Sequence, residues 1–129
     1  MKIKIIIPLV VLLLSTFMIL EAQTKIEVSS KVVSTMLQKD SKLMVLDVRT
    51  AEEFSEGHIK GALNIDIRKE DAFSKIDKLD HKVKYIVYCR TNHRSGMAVD
   101  HMMKSGFKTV YQMMDGFPGW AANKLPVQK

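Results

Sequence analysis

Two apolar runs of strand length constrain the fold of this 129-residue chain more than any other feature. One is Leu43–Leu46, and the other extends from Val83 to Tyr88 with Lys84 as its one charged residue. Runs of this length are too short for a typical helix, and they lack the alternation of a strand with one solvated face. Continuous runs of this kind are typical of parallel strands that are covered on both faces. We therefore expect an internal parallel sheet.

Segments with helical spacing separate these runs and predict the covering layers. The clearest is Lys31–Lys39, where Val32, Val33, Met36 and Leu37 are expected to share one face behind a serine cap. Three further helices are predicted from their caps, glycine stops or apolar faces: Thr50–Glu56, Asp71–Leu79 and Ser95–Ser105. A third short strand and a turn follow them, at Thr109–Gln112 and Asp115–Trp120. This alternation predicts an α/β fold in three layers, with a central, mostly parallel sheet and helices on both faces.

The N-terminal residues have the layout of a secretory signal peptide. Lysines lie near the start, an apolar stretch follows at Ile5–Leu14, and the small residue Ala22 ends an acceptable cleavage site. We expect residues 1–22 to be removed and residues 23–129 to form one exported, periplasmic domain. The alternative is an uncleaved anchor in the inner membrane, because the apolar segment approaches the length that spans a bilayer. In both cases the domain faces the periplasm.

The charge balance favours small anionic substrates. The formal charge is +6, and removal of residues 1–22 changes it to +5 because Lys2, Lys4 and Glu21 are lost. The lysines are scattered and no aromatic residues interleave with a basic cluster, so nucleic acid is not an expected partner. We expect a monomer that meets the membrane only through an uncleaved N-terminal segment. The nine methionines are explained by packing, so neither a metal site nor a cofactor is predicted.

Cys89 is the only cysteine and directly follows the second apolar run. It opens the sequence Cys-Arg-Thr-Asn-His-Arg-Ser, which leads into the predicted helix at Ser95–Ser105. The thiolate is the reactive form of cysteine, and arginines and a helix N-terminus favour it. Ligands of parallel sheets bind beyond the carboxyl ends of the strands, where Cys89 lies. We expect a nucleophile at Cys89, the alternative being a small cysteine that merely packs in the core.

Four blocks of sequence, in order, resemble the rhodanese family, in particular its small single-domain periplasmic members. They are Leu46–Thr50 with Glu53-Phe54, Gly57–Ile65, Val87–Ser95, and Asp115–Phe117 with Trp120 and Leu125–Val127. The resemblance implies an α/β fold with a central parallel sheet and a cysteine that forms a persulfide. Three positions depart from the family pattern: Asp115 where glycine is usual, Lys60 where proline is common, and His93 where a small or neutral residue is common.

The resemblance and the residue types together give each candidate site residue a role. Cys89 is the expected catalytic nucleophile. The expected substrate-binding residues form the loop after it: Arg90, Thr91, Asn92, His93, Arg94 and Ser95. Their backbone N–H groups would form a nest for an anion, while Arg94 would both bind substrate and anchor the loop. Three residues are expected to support the loops structurally, namely Asp47, Arg49 and His58.

The expected activity is that of a thiosulfate sulfurtransferase. A sulfane sulfur would pass from thiosulfate or a similar donor to Cys89, and then to a thiol or cyanide acceptor. One alternative is a persulfide carrier or redox-sensing module without turnover. The other is a phosphatase, since some phosphatases share the rhodanese fold and use cysteine with arginine. Four residues separate Cys89 from Arg94, one fewer than in those phosphatases, so the loop should suit sulfur better than phosphate.

Overall fold

The computed structural model describes residues 22–129, which form a three-layer α/β fold. The strands are β1 (Thr24–Val28), β2 (Met44–Asp47), β3 (His58–Ile59), β4 (Leu63–Asn64), β5 (Tyr85–Tyr88), β6 (Thr109–Met113) and β7 (Val127–Gln128). The helices are α1 (Ser30–Lys39), α2 (Ala51–Glu56), α3 (Ala72–Asp77), α4 (His93–Lys104) and α5 (Gly116–Ala122). The α/β class and the central parallel sheet expected from the sequence are confirmed.

The main sheet has five strands in the order β1-β6-β5-β2-β4, and every neighbouring pair is parallel. β5 lies in the middle, and all four of its residues are buried. Its side chains alternate between two cores. Val87 packs with Val99 and Met102 of α4 on one face, whereas Ile86 packs with Trp120 of α5 on the other. This double coverage explains why β5 has no charged residue.

Local signals in the sequence fix the helix ends. The Ser29 side chain accepts a hydrogen bond from the Val32 N–H at the start of α1. At the end of α4, Gly106 adopts φ +90°, and the Phe107 N–H donates to the Met102 carbonyl over 3.1 Å. This arrangement is a Schellman motif, which requires a left-handed residue and therefore favours glycine. The predicted stop at Gly106 is confirmed.

One predicted element is wrong. The residues from Asp115 to Trp120, expected to form a turn, lie at the start of a seven-residue helix, α5. Pro118 falls within the first turn of α5, where proline is tolerated because the N–H groups there have no partner within the helix. Gly116 begins the helix with φ +62°, so the two residues that indicated a turn instead set the helix start.

Four short or edge elements were not expected from the sequence, one of them β4, a two-residue strand beside β2 at one edge of the main sheet. β1 is an edge strand that pairs only with β6 among the described strands. Polar and apolar residues alternate along it, so it contains no apolar run. β3 and β7 are two residues each and form a separate antiparallel pair. Strands this short contain no period that a sequence pattern can reveal.

No helix within residues 22–129 is long and apolar enough to cross a membrane. Except for Ala22, the predicted signal peptide lies outside the described residues.

Tyr88 connects the central strand to the small second sheet. Its hydroxyl accepts a hydrogen bond from the buried Ile59 N–H over 3.1 Å, and its ring is fully buried. Tyr88→Phe should lower the free energy of unfolding by about 1–3 kcal/mol, because it leaves a buried N–H without a partner. Urea denaturation measures this change. Tyr111→Phe is the matched control, since within residues 22–129 that hydroxyl has no hydrogen bond; equal losses in both variants would contradict the assignment.

Candidate active site

Cys89 occupies the junction between β5 and α4. The strand ends at Tyr88, and α4 begins at His93, so a short loop joins them. The Ser95 N–H, in the first turn of α4, donates a hydrogen bond to Cys89 Sγ over 3.3 Å. The Asn92 side chain makes no capping hydrogen bond, so the sulfur takes the position that a capping side chain normally holds. The positive end of α4 is therefore directed at the sulfur.

The other loop residues fall into an exposed and a buried group. Arg90, Thr91, Asn92 and His93 are exposed. Ser95 is fully buried, and its hydroxyl lies 3.5 Å from Cys89 Sγ and donates to the Asn92 carbonyl over 3.2 Å. Cys89 itself is fully buried beneath the loop. The loop thus has an outer surface that meets solvent and an inner surface that holds the thiol.

Arg94 anchors the loop to α2. Its two terminal nitrogens donate to the two carboxylate oxygens of Glu53 over 2.7 and 2.9 Å. Glu53 also completes a capping box with Thr50 at the start of α2. These hydrogen bonds, chiefly those from Arg94, lower the pKa of Glu53 to about 2, although partial burial opposes the shift. The same pairing raises the pKa of Arg94. One carboxylate therefore joins the helix start and the cysteine loop.

Asp47 and Arg49 form a second, deeply buried pair. Arg49 Nη2 lies 2.7 Å from Asp47 Oδ2 and also donates to the Gly57 carbonyl. Burial disfavours charge on Arg49, but the hydrogen bonds and the charge of Asp47 outweigh it, so the pKa of Arg49 is raised. The guanidinium lies 4.3 Å from the centre of the Phe117 ring, and the Phe117 N–H donates to the Cys89 carbonyl. The pair thus connects to the cysteine loop through Phe117.

His58 lies at the junction of α2 and β3. Its ring stacks on Phe54 with 3.6 Å between ring centres, and its Nδ1 lies 2.8 Å from the Phe54 carbonyl oxygen. These contacts hold the end of α2. They involve neither the sulfur nor the loop that follows it.

Four residues that hold the loop were not predicted from the sequence: Glu53 and Phe117, described above, and also Gln112 and Gly116. Gln112 of β6 is buried and donates to the Asn92 carbonyl over 2.9 Å and to the Ser95 hydroxyl over 3.2 Å. Gly116 lies against the loop so closely that a Cβ atom there would collide with the Arg90 carbonyl oxygen. An amide in an otherwise apolar strand and an Asp-Gly pair were the available signals. Neither signal shows which residue the side chain or the glycine contacts, because both contacts join parts of the chain that are far apart in the sequence.

A cleft of about 410 Å³ lies beside the loop. It is lined by Arg49, Glu53, Glu56, Gly57, Arg90, Phe117 and Pro118. Cys89 is not itself part of the lining, but Arg90 follows it in the chain and Phe117 is hydrogen-bonded to its carbonyl. A second cavity of about 380 Å³ contacts Trp120 and α1, which pack on the other face of the sheet from α4. Within residues 22–129, no cluster of three or more His, Cys, Asp or Glu side chains could hold a metal ion.

Comparison with known families identifies the domain. The model of the rhodanese-like domain matches residues 29–123, which include both ion pairs and the whole cysteine loop. The chain belongs to the rhodanese-like domain family. The resemblance seen in the four sequence blocks is thereby confirmed.

Named relatives and a solved structure agree with this assignment. Thiosulfate sulfurtransferase GlpE of Coxiella burnetii is 32% identical over 87 residues, which cover 67% of this chain and 79% of GlpE. Thiosulfate sulfurtransferase 16, a chloroplastic protein of Arabidopsis thaliana, is 36% identical over 93 residues, covering 64% of this chain and 78% of the relative. The crystal structure of Alr3790 from Anabaena superposes with a TM-score of 0.71 at 25% identity and covers 78% of this chain and 81% of that one.

The Glu53–Arg94 pair should stabilise the protein in a pH-dependent way. Glu53→Gln retains an acceptor for the Thr50 cap but removes the charge that pairs with Arg94. We expect the free energy of unfolding at pH 7 to fall by about 1–3 kcal/mol. Because folding lowers the pKa of Glu53 from 4.5 to about 2, its contribution is complete above about pH 4.5 and is lost as the pH falls toward 2.

Urea denaturation of the wild type and Glu53→Gln between pH 2 and pH 7 measures this difference. The two stabilities should converge at the acidic end. Glu52→Gln is the matched control, because it removes a carboxylate from the same helical turn and Glu52 has no ion pair among residues 22–129. A difference between wild type and Glu53→Gln that stays constant over the whole range would contradict the role of the pair.

Gly116 and Gly106 provide a matched pair of substitutions for the loop contact. Both have positive φ angles, +62° and +90°, but only at Gly116 would a Cβ atom meet neighbouring backbone. Gly106→Ala should cost about 1–2 kcal/mol from backbone strain alone. Gly116→Ala should cost about 1–3 kcal/mol more and displace the loop. Thermal unfolding measures the loss of stability, and the rate of Cys89 alkylation measures the displacement of the loop. Equal effects of the two substitutions would contradict the contact between Gly116 and the loop.

Proposed function

We propose that this protein is a sulfurtransferase that moves a sulfane sulfur from thiosulfate, or a similar donor, to a thiol or cyanide through a persulfide on Cys89. The observation that supports it most directly is the hydrogen bond from the Ser95 N–H to Cys89 Sγ at the start of α4. A helix N-terminus stabilises negative charge, and both the thiolate and the terminal sulfur of a persulfide carry it. Membership of the rhodanese-like family and relatives named as sulfurtransferases give further support.

In the first half of the proposed reaction, the Cys89 thiolate attacks the outer sulfur of thiosulfate. A bond forms between the two sulfur atoms, and the bond to the sulfonate sulfur breaks. Sulfite departs with the bonding electron pair, and Cys89 is left as a persulfide. Arg90 is exposed beside the cleft and is the proposed contact for the sulfonate oxygens.

In the second half, a thiolate or cyanide attacks the terminal sulfur of the persulfide. The bond between the two sulfurs breaks, its electron pair returns to Cys89, and the product leaves with the transferred sulfur. Because one product departs before the second substrate reacts, the kinetics should be ping-pong. The buried Asp47–Arg49 pair and the half-buried Glu53–Arg94 pair keep the loop in position through both halves.

The arrangement of Arg94 argues against a phosphatase. An arginine that stabilises a phosphoryl group must direct its guanidinium at the phosphate oxygens. Here both terminal nitrogens of Arg94 bind Glu53, and the loop between Cys89 and Arg94 has four residues. We therefore assign Arg94 to anchoring the loop.

We also propose that the protein acts in the periplasm, after export by the N-terminal segment. The support for this is the sequence of residues 1–22, with its lysines, apolar stretch and terminal alanine. A periplasmic domain with a single cysteine has no partner for an internal disulfide, so Cys89 stays available for sulfur chemistry.

Cys89→Ser should abolish transfer of sulfur from thiosulfate, because a serine hydroxyl stays protonated near neutral pH and cannot carry a persulfide. Intact-mass spectrometry after incubation with thiosulfate should find one added sulfur atom on the wild type, removable by a thiol reductant, and none on the variant. Turnover with cyanide should fall to background. A variant that retains a tenth of the wild-type rate would contradict the mechanism. Loading of one sulfur without turnover would instead indicate a carrier.

A further inference from the structure

Four charged side chains line the cleft beside Cys89, and two of them are neutralised by the fold. Arg49 is paired with Asp47, and Glu53 is paired with Arg94. The remaining two are Arg90 and Glu56. Both are exposed, and neither has an ion pair or a side-chain hydrogen bond within residues 22–129. The cleft therefore presents one positive and one negative group to a ligand.

The carboxylate of Glu56 has no evident role in folding. Glu56 is the last residue of α2, where the negative end of the helix disfavours a carboxylate. The capping box at the other end of α2 uses Glu53 instead. Among the described residues the Glu56 carboxylate has no ion pair or side-chain hydrogen bond, so it is available to a ligand that carries a positive group.

The Glu56 carboxylate also disfavours binding of the proposed sulfur donor. Thiosulfate is a dianion, so a carboxylate beside the same cleft repels it. The cleft volume of about 410 Å³ falls in the range of roughly 300–1,000 Å³ that is typical of sites for small organic molecules. The negative charge of Glu56 and the volume of the cleft therefore suit the sulfur acceptor better than thiosulfate.

We propose that the physiological acceptor is a small zwitterionic thiol, which bears both a carboxylate and an ammonium group as cysteine does. Arg90 binds the carboxylate and Glu56 binds the ammonium group. This inference rests on the proposed sulfurtransferase function and identifies the class of its acceptor. The acceptor thiolate attacks the terminal sulfur, the bond to Cys89 breaks, Cys89 regains a thiolate, and the acceptor leaves as a persulfide.

The two half-reactions can be measured separately. The full chain is loaded with thiosulfate, freed of sulfite, and mixed with one of four thiols, and the loss of one sulfur is followed by intact mass. The thiols are cysteine, cysteamine, 3-mercaptopropionate and 2-mercaptoethanol, which carry both charges, the ammonium alone, the carboxylate alone and neither. Each variant is compared with the wild type for the same thiol, so differences in thiol acidity cancel.

Glu56→Gln should slow discharge to cysteine and cysteamine by about two- to fivefold, the effect of one solvent-exposed charge pair. Discharge to 3-mercaptopropionate and 2-mercaptoethanol should be unchanged or faster, and loading by thiosulfate should be as fast or faster. Arg90→Gln should slow discharge to cysteine and 3-mercaptopropionate, but not to cysteamine. The losses should shrink at high salt, because salt screens exposed charges.

Glu52→Gln is the matched control, since it removes a carboxylate from the same helix at a residue that does not line the cleft. It should leave all four rates unchanged. Two outcomes overturn the zwitterion assignment alone, provided that thiosulfate loads the wild type normally. In one, Glu56→Gln changes the discharge rate equally for all four thiols. In the other, it changes none of the four rates. Failure of thiosulfate to load Cys89 in the wild type overturns the proposed function itself, and the acceptor assignment with it.

Discussion

The hydrogen bond between the Ser95 N–H and the Cys89 sulfur is the contact around which the rest of the site is arranged. It forms only if β5 ends and α4 begins within a few residues, so that the sulfur can replace a capping side chain. Each neighbouring element then contributes one restraint to the loop: α2 through Glu53, β6 through Gln112 and α5 through the Phe117 N–H. Burial of the Cys89 thiol is thus achieved by a loop that is held at several points.

The sequence was sufficient to predict the parts of the fold that depend on local pattern. The apolar run before Cys89 predicted the central strand, and the glycine at 106 predicted the end of α4. The hydrogen bonds of Gln112 could not be predicted, because they depend on the pairing of Gln112 with Val87, which brings it to the level of the loop. α5 was missed because Gly116 and Pro118 indicate a turn unless the packing of the helix is already known.

The departure at Asp115 from the usual glycine of the family is compensated within the fold. Its carboxylate accepts hydrogen bonds from the backbone N–H and the hydroxyl of Ser30, at the start of α1. Gly119, one turn later, leaves the space that the Asp115 side chain fills, since a Cβ atom there would collide with it. The glycine that the cysteine loop requires, Gly116, is retained. The substitution therefore joins α1 to α5 and leaves the loop contact intact.

The uniform direction of the five strands sets the orientation of the whole domain. Thr24, the first residue of β1, pairs with Thr109 at the amino edge of the sheet, whereas Cys89 follows the carboxyl end of β5. Chain that precedes Thr24 therefore joins the domain at the end opposite the cysteine loop. A support attached directly before Thr24 therefore faces the amino edge of the sheet, and the cysteine loop lies at the opposite edge, open to substrates.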